Sequence, residues 1–274
     1  PPHMKQDTQS PNEETVQSSS VLSMPINHVG LNEPLQWVSL GWRDFMRSPI
    51  TGLFYGLCFF AMGHALMVVF ESAPAYVLAL SAGFLLVGPF LSLGLYQISK
   101  DLQAKRRPQL KRSLCAWLPT KSSMAIFAGV LLVLEMLWGR ASLIVFAVSF
   151  DSMPDANSTW AALLNLENID FIIAYLVVGA VFAGLIFTTS AIAIPMILDK
   201  RVDAIAAGLT SIRACLENPI TMAFWGMLIT VFVVAAMLPW FVGLLVIGPV
   251  LGHATWHAYQ ALVVPPVPAP PPSQ

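Results

Sequence analysis

Long apolar runs dominate the chain between residues 49 and 264, and they are continuous rather than alternating. They cover 50–70, 75–98, 124–148, 171–198, 220–238 and 240–262. A bilayer core takes about 20 apolar residues per helix at ~1.5 Å rise. A transmembrane β-strand would alternate in and out over about ten residues, so the pattern predicts six membrane-spanning helices. Shorter stretches carry a different period. Leu35, Val38, Trp42 and Phe45 are spaced 3, 4 and 3, and Val202, Ile205, Leu209, Ile212 and Leu216 are spaced 3, 4, 3 and 4. That spacing gathers apolar residues on one helical face and predicts helices lying along a membrane surface.

The two amphipathic stretches sit in similar surroundings. Arg43-Asp-Phe-Met-Arg-Ser-Pro49-Ile50-Thr51 opens the first run and Arg213-Ala-Cys-Leu-Glu-Asn-Pro219-Ile220-Thr221 opens the fifth. Proline is tolerated in a helix's first turn, so Pro49 and Pro219 mark the bend from surface helix to span. The second helix of each pair matches as well. Val87-Gly88-Pro89-Phe90-Leu91 corresponds to Ile247-Gly248-Pro249-Val250-Leu251. Proline removes one backbone donor and crowds the preceding turn, so a kink is expected at each Gly-Pro step. Gly52 with Gly56, and Gly248 with Gly252, have the Gly-x-x-x-Gly spacing that permits close helix contact. In the middle third Leu110, Leu114, Trp117 and Leu118 lead to Pro119, and Pro195 lies near the end of the fourth run.

The expected fold is an all-α membrane protein. Its six transmembrane helices form pseudo-symmetric hairpins, each preceded by an inner-surface amphipathic helix. The units cover about 34–100, 108–199 and 202–264. Residues 1–33 are polar, lack the apolar core of a signal peptide and are expected to be disordered. Residues 265–274 form a proline-rich tail of extended character.

Charge fixes an orientation. Of 14 Lys and Arg residues, all but Arg140 fall outside the spans, and all of those fall on one side when the spans alternate. The opposite loops hold only Glu71, Asp151, Asp155, Glu167 and Asp170. The positive-inside rule then puts both termini in the cytoplasm. The cluster Lys105-Arg106-Arg107 with Lys111-Arg112 has no interleaved aromatics. It reads as topogenic or lipid-facing charge, with no nucleic-acid partner expected. The composition, 56% hydrophobic and 11% charged, agrees. Cys58, Cys115 and Cys215 have no pair spacing, which argues against a disulfide framework or a zinc site.

A few polar residues inside the runs need explanation. Glu135 lies about twelve residues, or ~18 Å, into the third run. A carboxylate at that depth raises a functional hypothesis of proton or cation handling, beside the alternative of a hydrogen bond to a neighbouring helix. Arg140 is near the outer interface and can snorkel. At five residues apart, about 140° around a helix, the two make a poor pair. His253 and His257 are four apart and share a face, which suits haem or a metal, or else anchors the helix end. His64 is placed in the outer half of the first span, at a different depth. No nucleophile elbow, Walker loop, His-Glu-x-x-His or paired-carboxylate motif is present, so no enzyme activity and no cofactor are predicted beyond that haem or metal option.

At Gly41-Trp42-Arg43-Asp44-Phe45, Gly88-Pro89-Phe90-Leu91 with Gly94-Leu95-Tyr96, Ile194-Pro195-Met196-Ile197-Leu198-Asp199 and Gly252-His253-Ala254-Thr255-Trp256-His257-Ala258-Tyr259, the chain resembles a family of uncharacterised bacterial integral membrane proteins, the domain of unknown function 2189. The resemblance runs from about residue 35 to 263. It implies a proteobacterial inner-membrane protein, some members carrying a cytochrome c oxidase label. Haem–copper oxidases need a larger set of histidines than His64, His253 and His257 supply. Three readings stand: an accessory or assembly component of a membrane complex, respiratory in kind; a small transporter or channel using Glu135; and a haem- or metal-binding membrane protein at His253 and His257. The expected partners are the bilayer and another membrane complex or a second copy.

Overall fold

The computed structural model describes residues 24–72, 77–149 and 168–263, without the side chains of 77–86. The N-terminal residues 1–23, the outer-loop acids Asp151, Asp155 and Glu167, and the proline-rich tail lie outside the described residues. All regular elements among the described residues are helical. They are α1 (Glu33–Arg47), α2 (Pro49–Ser72), α3 (Val77–Gln103), α4 (Leu110–Leu114), α5 (Lys121–Ser149), α6 (Ile169–Ser190), α7 (Ala193–Lys200), α8 (Ala204–Glu217), α9 (Pro219–Met237) and α10 (Leu244–Val263). A single 3₁₀ turn, Leu118–Thr120, joins α4 to α5.

The bends between α1 and α2 and between α8 and α9 share one backbone geometry. Ser48 has φ −138° and ψ 58°, and Asn218 has φ −129° and ψ 53°. Each precedes a proline, whose Cδ excludes the α conformation from the residue before it. The backbone N–H of Ser48 still reaches the Asp44 carbonyl, and that of Asn218 reaches Ala214. Burial follows the same register. Trp37, Gly41, Asp44, Phe45 and Ser48 are buried, as are Ala207, Ser211, Ala214, Cys215 and Asn218, each 170 residues later.

Four helical stretches are long and apolar enough to cross a membrane: Pro49–Ser72, Leu110–Ser149, Ile169–Lys200 and Pro219–Met237. They are α2, α4 through α5, α6 with α7, and α9. The sequence predicts six. α3 is 27 residues long, but its first turns fall in the undescribed side chains. α10 is 20 residues long, and His253, His257 and Gln260 reduce its mean hydropathy. Those groups are tolerated because α10 is enclosed by α1, α2 and α3 rather than by lipid.

The fourth run, expected as one helix, breaks at Ala191–Ile192. Pro195 has no N–H to return to the Ala191 carbonyl. The hydroxyls of Thr188, Thr189 and Ser190 turn back onto carbonyls of the preceding turn, a pattern that bends helices. The freed N–H of Ile192 donates to Ser211 Oγ of α8 at 3.2 Å. By contrast α3 and α10 run on through Pro89 and Pro249.

Each short helix rests on the second long helix of another pair. α1 lies on α10, α4 on α3, and α8 on α6 and α7. The ends of α3, α7 and α10 meet one another between them. These contacts collect the basic residues of α1, the α3–α5 connection, α7 and α8 at one end of the bundle, called here the basic end. Residues 24–30, inside the stretch expected to be disordered, are also held there. The Asn27 N–H donates to the Leu262 carbonyl at 2.8 Å, Asn27 Nδ2 to Ala261, and Asn218 Nδ2 to Asn27.

Candidate functional site

Polar side chains of α10 point into the protein and reach three helices, His257 meeting α1, His253 meeting α3 and Tyr259 meeting α7. His257 Nε2 lies 2.8 Å from Asp44 Oδ2 of α1, with both groups buried. An ionised carboxylate only accepts, so this nitrogen carries the proton. His253 Nδ1 is 2.8 Å from the Ser99 hydroxyl of α3, and its Nε2 has no hydrogen-bond partner among the described residues. Tyr259 donates to Asp199 Oδ2 at 2.7 Å, while Lys100 Nζ donates to Asp199 Oδ1 at 2.9 Å. Lys100, Asp199 and Tyr259 thus bring α3, α7 and α10 to one carboxylate.

A tryptophan sets the proton positions. Trp256 Nε1 can only donate, and it reaches Gln103 Oε1 at 3.1 Å. The Gln103 amide nitrogen therefore points the other way, donating to Gln260 Oε1 at 2.6 Å and facing His257 Nδ1 at a long 3.5 Å. That orientation selects the tautomer: in the neutral ring Nδ1 accepts and Nε2 donates to Asp44. For the Asp44 carboxyl, burial acts to raise its pKa. The hydrogen bond and charge of His257, with the Ser99 hydroxyl nearby, outweigh burial and hold it below the usual 3.8.

Two further clusters tie loops to this end. Asp101, almost fully buried, accepts from Gln97 at 3.0 Å and from Arg106 at 3.1 Å, and Arg112 stands 3.5 Å away. The Ser113 hydroxyl of α4 bonds the Tyr55 hydroxyl of α2 and donates to the Gly94 carbonyl of α3 at 2.9 Å. Cys215 is buried under α6, and burial pushes its thiol up to about 11; it is a packing residue.

The residues singled out from sequence fall in separate places. His64 is exposed and stacked on Phe60. Gly63 beside it faces Phe241, three residues before α10 begins, whereas His253 is the tenth residue of α10, so the two histidines stand at different levels. Glu135 is half-buried on α5, where it is not isolated, and Arg140 is exposed. His253 and His257 share a helix face, but their ring nitrogens are directed to Ser99 and Asp44. Among the described residues no group of three His, Cys, Asp or Glu side chains is placed to hold a metal.

The glycine spacings do mark close contacts. A Cβ on Gly248 would meet Phe59, and one on Gly252 would meet Leu95. Gly56 lies against the Leu245 carbonyl. Pro89 and Pro249 are buried, but among the described residues a Cβ on Gly88 would meet nothing within 4 Å. Sequence reasoning did not single out Asp44, Ser99 or Asp101. Their signal was available: they are polar groups on helix faces that otherwise carry Trp37, Gly41, Leu95 or Ile98.

The arrangement holds helices together by charge-assisted and neutral hydrogen bonds where the membrane ends. No curated protein and no solved structure matches the chain. The family resemblance read from residues 35–263 is carried by a narrower segment, which includes Pro89, Glu135, Arg140, Pro195 and Asp199 but not His253 or His257. Residues 77–199, from α3 to α7, match the model of the family DUF2189, described as predicted integral membrane protein.

Proposed function

We propose that this protein is a non-enzymatic bacterial inner-membrane component that works by packing, as an accessory or assembly factor of another membrane complex, respiratory in kind. One observation carries the reading. The polar side chains most suggestive of chemistry, His257 with Asp44 and Tyr259 with Asp199 and Lys100, are spent on bonds between helices. A buried polar network that is internally paired rigidifies a scaffold rather than facing a substrate.

The same reading has six crossings in three hairpins with both termini in the cytoplasm. It is supported by the repeated Ser48 and Asn218 geometry, by the matching burial at an offset of 170, and by the basic residues at one end. Repeats of two crossings each share an orientation and are related about the membrane normal. The test is purification of the full chain from its native membrane after mild solubilisation, with bound proteins read by mass spectrometry and bound haem or metal by absorbance and elemental analysis. A stoichiometric membrane partner is expected. A solitary protein overturns the reading, and a solitary protein with bound haem or metal replaces it.

A further inference from the structure

While their inner faces are buried, α1 and α8 turn apolar residues outward. α1 exposes Leu35, Trp42 and Met46, the last 56% exposed. α8 exposes Ile205 at 71%, Leu209, and Leu216 at 73%. The connection around α4 exposes Leu110, Leu114 and Leu118. On α1 and α8 these positions fall along one side at helical spacing, opposite Trp37, Gly41 and Asp44 or Ala207, Ser211 and Ala214. Each stripe runs directly into a span. Ile50 and Ile220, in the first turns of α2 and α9, are 86% and 70% exposed.

The three stripes are thus continuous with surface that meets acyl chains. They also belong to helices docked on different partners at the basic end, α1 on α10, α4 on α3, and α8 on α6 and α7. A single protein partner would have to encircle the molecule to cover them, whereas a leaflet does so without special shape. Charge selects the kind of leaflet. Exposed Arg43 and Arg47 flank the stripe of α1, exposed Lys111 and Arg112 flank that of α4, and Lys105 and Arg107 lie in the adjoining connection. A helix with an apolar edge and flanking Lys or Arg settles at the headgroup boundary and gains from anionic lipid.

We propose that α1, α4 and α8 form a collar seated in the headgroup–acyl boundary of one leaflet, with anionic phospholipid as the partner. The proposal rests on the membrane-spanning reading and specifies which lipid the protein recognises and with which residues. The collar anchors the ends of three spans at one depth and makes the protein respond to the charge of that leaflet.

The test uses the full chain in vesicles of phosphatidylcholine, with and without phosphatidylglycerol. Spin labels are attached at cysteines replacing Met46, Leu209 and Leu216, with Gln36 as the aqueous control and Leu176 of α6 as the span control. Cys58 and Cys115 are replaced by Ser. The collar labels are expected to collide with oxygen more often than with a water-soluble nickel complex, at a depth of about 5–10 Å. Preference for phosphatidylglycerol is expected to fall about fivefold per arginine removed in Arg43→Gln and Arg47→Gln. Aqueous collar labels beside a buried Leu176 label overturn the collar while leaving the spans intact. An aqueous Leu176 label overturns the spans themselves. Spin–spin broadening between copies at position 46 or 216 overturns the collar in favour of self-association, and an unchanged lipid preference overturns the anionic partner.

Discussion

Set side by side at their offset of 170 residues, α1 and α8 bury corresponding positions but fill them differently. α1 presents Gly41 and Asp44 to α10, Trp37 to Trp225 of α9 and Phe45 to Gly52 of α2. α8 presents Ala207, Ser211, Ala214 and Cys215 to α6 and α7. On α1, Gly41 lets two helices touch, since a Cβ there would come within 2.5 Å of the Val250 carbonyl and 2.7 Å of the Ala254 nitrogen. On α8, small side chains serve, and Ser211 supplies the bond that the broken helix opposite has lost. The starts differ too. Asp203 caps α8 by accepting from Ile205 and Ala206, whereas α1 has Pro34 in its first turn and no side-chain cap. One docking geometry therefore tolerates two chemistries, and the partner helix decides which is needed.

The comparison breaks most visibly at Asp44. Replacing it with Ala strands His257 in a buried site, and removing one partner of such a pair is expected to destabilise by about 3–5 kcal/mol. Ala214, its counterpart, should accept Ser with far less effect. Thermal unfolding in detergent measures both, and equal losses would refute the contrast. The Asp44 effect also carries a pH signature. Because the folded carboxyl sits below the usual 3.8, its stabilisation is complete at neutral pH. It fades in acid, as pH falls from the unfolded value through the folded one. The gap between the natural protein and Asp44→Asn should narrow in that window and nowhere above it.

Gly41→Ala comes next. Its new methyl meets backbone, which cannot rotate away, so a loss of about 1–3 kcal/mol is expected. An unchanged melting temperature would mean that α1 sits farther from α10. Ser211→Ala leaves the Ile192 N–H unpaired beside the break in the fourth span, at a cost of about 1–2 kcal/mol; hydrogen exchange at Ile192 should rise with it. The smallest effect is at the cap. Asp203→Ala should lose about 1 kcal/mol, and substituting Asn32, which caps nothing, should lose less.

Much of this architecture was readable in residues. The bends at Ser48 and Asn218 follow from Pro49 and Pro219, and the close contacts of Gly56, Gly248 and Gly252 follow from their spacing. Of the stripe that the period predicts, Ile205, Leu209 and Leu216 face outward, while Val202 is buried ahead of α8 and Ile212 is half-buried. The buried face of α1 was not readable in the same way. Hydrophobic periodicity marks inside and outside when the solvent is water. Next to a bilayer Leu35 and Trp42 can face lipid, while Gly41 and Asp44 need protein around them. For the same reason α10, which carries His253, His257 and Gln260, is enclosed by other helices. The partner of each polar group stayed hidden because the pairs lie far apart in the chain, 154 residues for Ser99 and His253.

The clasp of residues 24–30 and α1 onto α10 has a consequence for synthesis. Asp44 and His257 are separated by 213 residues. At roughly 5–20 residues per second, α1 waits about 10–40 s for its partner. During that delay Trp37 and Asp44 have no native cover, so nascent chains halted before α10 should bind chaperones or be degraded. The ring closes on its last stave.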